Sequence, residues 1–309
     1  MPSISLLRNP QEGRLRAPWR LLLQTLLLLV LATATLLVLS PLSTRASPLA
    51  LNTLVMAVAV ALSVAIAARV LDRRPLADLG LHIDRQWWLD CGFGLALGAG
   101  LQTLLFAGQV ATGLVVVTDV ARVTPALLGG VVGALAMFVA VGVYEEVLSR
   151  GYQLTNVAEG LRGYLGHRGA VAVAVLLTSV LFGALHAANP NATAVSVLGI
   201  SLAGVWLALG YVLTGELAIP IGAHISWNFF LGVVYGLPVS GNRLDASFVE
   251  AREVGPDLFT GGSFGPEAGL LGIAAVAVGC VAIVGYVGAR DGRVPLAAAV
   301  TVPELLTRE

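Results

Sequence analysis

The sequence predicts an all-α, polytopic membrane protein of about eight transmembrane helices. Hydrophobic residues make up 57% of its 309 residues and charged residues 12%, and mean hydropathy is +0.87. The apolar residues fall in blocks close to the ~20 needed to cross hydrocarbon. Polar, Pro-containing punctuation separates these blocks, and no repeat, low-complexity tail or soluble domain stands out.

In chain order, the N-terminal segment carries Arg8, Arg14, Arg16 and Arg20 ahead of the first apolar block, 20–40. That block has no evident small-residue cleavage site, which predicts a retained span rather than a signal peptide. Further blocks follow at 49–70, 88–110, 125–148, 170–188, 194–213, 217–236 and 267–289. Breaks lie at Ser40-Pro-Leu-Ser, Arg73-Arg-Pro75, Val123-Thr-Pro125 and Asn189-Pro-Asn191, and a polar stretch runs from Leu237 to Gly265. Arginine sets the orientation. Arg8, 14, 16, 20, 69, 73, 74, 85, 150, 162, 168, 290, 293 and 308 fall in segments on one side, and only Arg45, 122, 243 and 252 on the other. The positive-inside rule therefore predicts that both termini are cytoplasmic. Small residues at Gly92–Gly100 and Gly129–Gly133 predict close helix packing.

Composition also excludes chemistries. All 18 basic residues are Arg, so there is no lysine for a Schiff base, a Ser/Lys dyad or a Walker A loop. Net charge is zero and no basic, aromatic-interleaved cluster exists, which argues against nucleic acid. Cys91 and Cys280 lie far apart in apolar segments and read as buried small hydrophobes.

The run Val143-Tyr-Glu-Glu-Val-Leu-Ser-Arg150 stands out because ionisable groups in hydrocarbon are costly and tend to mark function. Glu146 and Arg150 are four apart and share a helix face, where they can pair; Glu145 points elsewhere. Glu145 is thus the candidate general base. In Ser179–His186, His186 closes an apolar helix with Phe182 one turn behind; in Ile221–Asn228, His224 and Asn228 are one turn apart. His82 and His167 sit among charged residues and read as solvated. The six polar residues Glu145, Glu146, Arg150, His186, His224 and Asn228 can activate water in two ways. Glu145 takes a proton while the His and Asn side chains stabilise an oxyanion, or Glu145, His186 and His224 hold a zinc ion. No His-Glu-x-x-His pair is present. A non-catalytic scaffold or immunity protein, or a proton-coupled transporter using the same cluster, is the alternative.

The three runs resemble the motifs of the CAAX protease and bacteriocin-processing family, also called the Abi family, which includes the Ras-converting CAAX endopeptidase. Its Glu-Glu-x-x-x-Arg motif is met by Glu145, Glu146 and Arg150. Phe-x-x-x-His is met by Phe182 and His186, and His-x-x-x-Asn by His224 and Asn228. Gly151 and Asp78-Leu-Gly-Leu81 also look like the family. The resemblance implies an eight-helix intramembrane endopeptidase in which Glu145 activates water, Glu146 and Arg150 position it, and His186, His224 and Asn228 assist. It leaves open whether the enzyme is glutamate-type or zinc-dependent. Ser149 departs from the Phe that many members carry before the Arg, a change expected to alter packing alone. The chain then divides into residues 1–75 with the first two spans, a catalytic core at 76–236, and 237–309 with an extracytoplasmic loop, the last span and a cytoplasmic tail. The expected partners are a peptide or membrane-protein substrate and the lipid bilayer. The expected location is a cell membrane, and the Arg-only, Gly- and Ala-rich composition agrees with a bacterial source.

Depth sets one puzzle. At about 1.5 Å per residue, Glu145 lies roughly 30 Å from Pro125, in the inner half, where His224 also falls, but His186 counted from Gly169 lies about 25 Å in, near the outer face. The reading adopted is that the fifth helix begins well inside the cytoplasm, the fourth runs on past Arg150, and the cavity opens to the cytoplasmic half.

Overall fold

The computed structural model describes residues 6–9, 12–44 and 46–306. Arg45 and Arg308, two of the arginines used for orientation, lie outside the described residues. A short hairpin of β1 (Arg8–Asn9) and β2 (Arg14–Leu15) leads into α1 (Ala17–Leu39), started by Pro in its first turn. Ser47 caps α2 (Pro48–Ile66), which continues as a π-helical stretch, Ala67–Asp72. Asp84 caps α3 (Arg85–Ala111), which is followed by β3 (Val115–Val120) and by α4 (Pro125–Glu146), capped by Thr124. A second π-helical stretch, Val147–Leu154, joins α4 to α5 (Thr155–Leu185) without a break. The chain continues through α6 (Ala194–Thr214), α7 (Ala218–Phe229), β4 (Val249–Glu253), the single-turn α8 (Asp257–Thr260) and α9 (Leu270–Asp291). The all-α expectation holds, with one addition. β3 and β4 pair antiparallel, with a bulge at Thr118 that leaves it opposite no partner.

Among the described residues six helical runs are long and apolar enough to cross a bilayer, and Ala218–Val234 is a shorter apolar helix. The longest run, Pro125–Ala188, has 64 residues. It contains the fourth and fifth apolar blocks of the sequence because the polar stretch between them, with Glu159, Arg162 and Arg168, is helical as well.

That run reverses direction at Gly166, whose φ of 66° and ψ of −179° are open to glycine and costly for a residue with a Cβ. Both arms pack on α6, in opposite senses. On the first arm, the Arg150 side chain bonds Gly204 and Thr155 bonds Tyr211; on the return arm, Ser179 lies against Gly204 and Gly183 against Ser201. Gly166 is 21 residues from Glu145 and 20 from His186, so the arms are equal at roughly 30 Å and bring the two residues to one level. The continuation of the fourth helix past Arg150 agrees with the expectation from the sequence.

Helix packing is closest between α3 and α7, where Gly94 and Gly98 leave room for the backbone of Ile219–Trp227. The expectation fails at Gly129 and Gly133, where an added Cβ would meet no other part of the chain within 4 Å. At the end with the Gly166 reversal, Arg14, Arg20 and Arg74 converge on Glu159, and Arg20 also pairs with Asp72 at 2.5 Å. This buried network ties the N-terminal segment to the end of α2 and to α5. Beside it, burial pushes the Asp78 carboxyl up to about 6; Arg74 at 3.3 Å opposes this weakly because its guanidinium is engaged by Glu159.

Candidate active site

The polar residues singled out in the sequence converge at the meeting point of α4, α5, α6 and α7. Glu146, the last residue of α4, is fully buried, and its Oε1 accepts from Arg150 Nη1 and from His224 Nδ1, each at 2.8 Å. Arg150 is not in a cytoplasmic segment, as the orientation count assumed, but 2% exposed within the bundle. Its second nitrogen donates to the Gly204 carbonyl at 3.1 Å, and its guanidinium sits 4.4 Å from the centre of the Phe182 ring. The Glu146–Arg150 pair predicted from spacing therefore forms, with the Arg150 guanidinium held by Glu146, the Gly204 carbonyl and the Phe182 ring, while Glu146 Oε2 has no hydrogen-bond partner. Arg150 lies in the π-helical stretch, a distortion that recurs at functional sites.

Glu145 is placed differently. Its side chain keeps 20% exposure on the cavity wall, and its Oε2 has no hydrogen-bond partner. That atom lies 3.8 Å from His224 Nε2, too far for a direct hydrogen bond. Because Glu146 can only accept, His224 donates to it from Nδ1, and its Nε2 faces Glu145. The same logic fixes His186: its Nδ1 donates to the Phe182 carbonyl at 2.8 Å, which leaves Nε2 free. The Phe182 ring touches both imidazoles, with centroids 4.8 Å from His186 and 6.3 Å from His224. Asn228, 6% exposed, lines the same cavity.

The cavity measures about 380 Å³, and Glu145, His186, His224 and Asn228 all lie on its wall. Other residues of its lining went unnoticed in the sequence. Asn52, Thr53 and Met56 come from α2, Asn189 from the turn after α5, and Ser240, Asn242 and Glu267 from the segment between α7 and α9. Ser240 and Gly241 form a two-residue turn in which both have positive φ, 45° and 85°. The turn is pinned hard: Glu267 Oε2 accepts from Ser240 N at 2.6 Å and from its hydroxyl at 2.9 Å, while Asn189 and Asn242 donate to its carbonyl. Glu267 Oε1 also accepts from the Trp227 indole at 3.2 Å, beside Asn228. Pro238 and Gly241 mark a turn in the sequence, but nothing local says that it folds over the site. Ser149, expected to affect packing alone, is itself a lining residue.

The cavity mouth corrects one expectation. Its wall uses the first turns of α2 and the turn after α5, both at the end opposite Gly166, and not the end where the arginines gather. The sequence reading measured depth along α4, but α2, α6 and α9 begin, and α5 ends, near the level of the site. Among the described residues, α3, α4 and the π-helical continuation of α7, Phe230–Val234, run on past it toward β3 and β4. His82 and His167 are partnered rather than merely solvated, to Glu216 and Thr301 respectively, both at 2.8 Å. Cys91 and Cys280 are free thiols.

The zinc set does not fit this arrangement. Among the described residues no group of three or more His, Cys, Asp or Glu side chains is gathered to hold a metal ion.

Residues 126–230 match the family model described as Type II CAAX prenyl endopeptidase Rce1-like. The match covers all three motifs and bears out the resemblance drawn from them. Comparison with curated proteins gives no match.

Proposed function

We propose that the Rce1-like region is the core of an intramembrane endopeptidase in which Glu145 is the general base. The observation that carries this reading is the contrast between adjacent carboxylates. Glu146 has no exposure and is held through Oε1 by Arg150 and His224, while Glu145 lies on the cavity wall with 20% exposure, its Oε2 without a hydrogen-bond partner and 3.8 Å from His224 Nε2.

In the mechanism that fits, a water held between Glu145 and His224 Nε2, with His186 on the same cavity wall, loses a proton to Glu145. Its oxygen attacks the peptide carbonyl carbon. The Asn228 amide, on the same cavity wall, is a neutral donor for the oxyanion. Protonated Glu145 then returns the proton to the leaving amine, the C–N bond breaks, and carboxylate and amine products remain. Glu146 holds His224 through Nδ1 and Arg150 fixes Glu146. No step is routed through a metal.

The substrate on this reading is a peptide or membrane-protein segment that reaches the cavity within the bilayer. The test is cleavage of a quenched fluorescent peptide panel by purified protein in detergent, wild type beside Glu145→Ala and His186→Ala. Loss in both, with unchanged thermal unfolding, is expected. Normal cleavage by Glu145→Ala sinks the reading.

A further inference from the structure

We infer that the cavity takes its substrate from the arginine-poor face of the membrane, so that the bond cut belongs to the extracytoplasmic part of an exported or membrane-anchored polypeptide. The substrate half of this inference rests on the endopeptidase reading; the sidedness does not.

Three observations carry it. The first is a gradient of exposure along the cavity wall. Leu185 is 62% exposed and Asn52 exposed, and Asn189 and Asn242 are half-buried, all at the end away from Gly166. Toward Gly166 the wall closes: Leu148 is 9% exposed, Leu207 4% and Trp206 1%. The second is the floor beyond. Tyr152, Leu154, Thr155 and Ala158 have no exposure at all, and the Glu159 network seals the arm below them. A peptide has no route to Glu145 from that end without parting a packed core.

The third observation is charge. With Arg150 removed to the interior, twelve described arginines remain at the Gly166 end, and the far end holds Arg122, Arg243 and Arg252. Moving Arg150 leaves the bias strong, and the positive-inside rule puts the Gly166 end in the cytoplasm and the mouth outside. The mouth is also built as a fixed rim. Ser240 is held at φ +45° by Glu267, Asn189 and Asn242, and a non-glycine residue kept in that region by several partners is a feature of binding sites more than of idle loops. The rim amides and hydroxyl suit an extended peptide backbone, which offers donors and acceptors in turn.

The test reads sidedness without catalysis. In a Cys91→Ala/Cys280→Ala background, single cysteines are placed by Asp245→Cys, next to the rim, and by Tyr164→Cys, a residue 80% exposed beside Gly166. Intact bacterial cells expressing each variant are treated with a membrane-impermeant maleimide. Asp245→Cys is expected to label at least tenfold more than Tyr164→Cys, with the difference lost on permeabilisation. The reverse pattern, or equal labelling in intact cells, overturns the inference. Paired single-span reporters carrying one peptide segment outside or inside the cell extend the test: cleavage of the inside reporter alone also overturns it. A chain that labels on the outside at Asp245→Cys yet cleaves no peptide retains its sidedness and loses the endopeptidase reading instead.

Discussion

Glu145→Gln and Glu146→Gln remove one charge each from adjacent positions, and their consequences should separate cleanly. Glu145 Oε2 has no hydrogen-bond partner and the side chain is partly exposed, and glutamine keeps an acceptor for the neighbouring Tyr144, so Glu145→Gln should change stability by no more than about 0.5 kcal/mol. Its effect is kinetic, because an amide cannot take a proton from water: kcat should fall roughly 10²- to 10⁴-fold, the range for a positioned general base. Glu146 Oε1 accepts two charge-assisted bonds at 2.8 Å inside a fully buried site. Glu146→Gln leaves Arg150 buried without a counter-charge. Removing one partner of such a pair costs about 3–5 kcal/mol, and glutamine keeps a neutral acceptor, so about 3 kcal/mol is expected. That corresponds to a fall in Tm of roughly 6 °C for a chain of this size. The assays are thermal unfolding in detergent, followed by tryptophan emission, and initial rates on a cleaved peptide. Glu146→Gln at the wild-type Tm would refute the anchoring role, and Glu145→Gln retaining more than a third of the wild-type rate would refute the base.

Proteolysis should be unchanged by a strong zinc chelator, because Glu145, His186 and His224 are not gathered as a ligand set; loss on chelation that zinc restores would show otherwise. Glu267→Gln weakens three hydrogen bonds to a charged acceptor, two from Ser240 and one from Trp227, and bonds to charged groups contribute about 1.5–3 kcal/mol each in favourable cases. It should shift the Trp227 emission and raise KM more than it lowers kcat; unchanged kinetics would remove the Ser240 turn from substrate binding. Ser149→Phe puts a ring into the cavity wall and should exclude peptides with large side chains while small ones are still cut, read as the ratio of kcat/KM between the two classes. For Asp78 the folded carboxyl is raised from 3.8 to about 6 by burial. The folded state therefore binds the proton more tightly, and the contribution of this group to stability falls as pH rises from about 4 to 6. Tm measured across that window should lose this component in Asp78→Asn, and an identical profile for the two proteins would show that Asp78 does not titrate there.

What was legible in the sequence follows the range of the forces involved. Glu146 and Arg150 were paired correctly because one helical turn separates them, and His186 and His224 were picked out because imidazoles at the ends of apolar blocks have few bland explanations. Helix boundaries were close for the same reason: Ser47, Asp84, Thr124 and Thr193 are local caps, each accepting from a backbone N–H in the first turn. The two errors that matter are tertiary. Arg150 was counted as a loop charge because it follows an apolar block, whereas Glu146, the Gly204 carbonyl and the Phe182 ring, drawn from two further helices, make its burial tolerable. The cavity mouth was placed from residue counts along one helix, but depth in a bundle depends on where the other helices end. Asn189 and Glu267 lie 78 residues apart, and both hold Ser240. No periodicity links those three positions, yet they line the same cavity as Glu145.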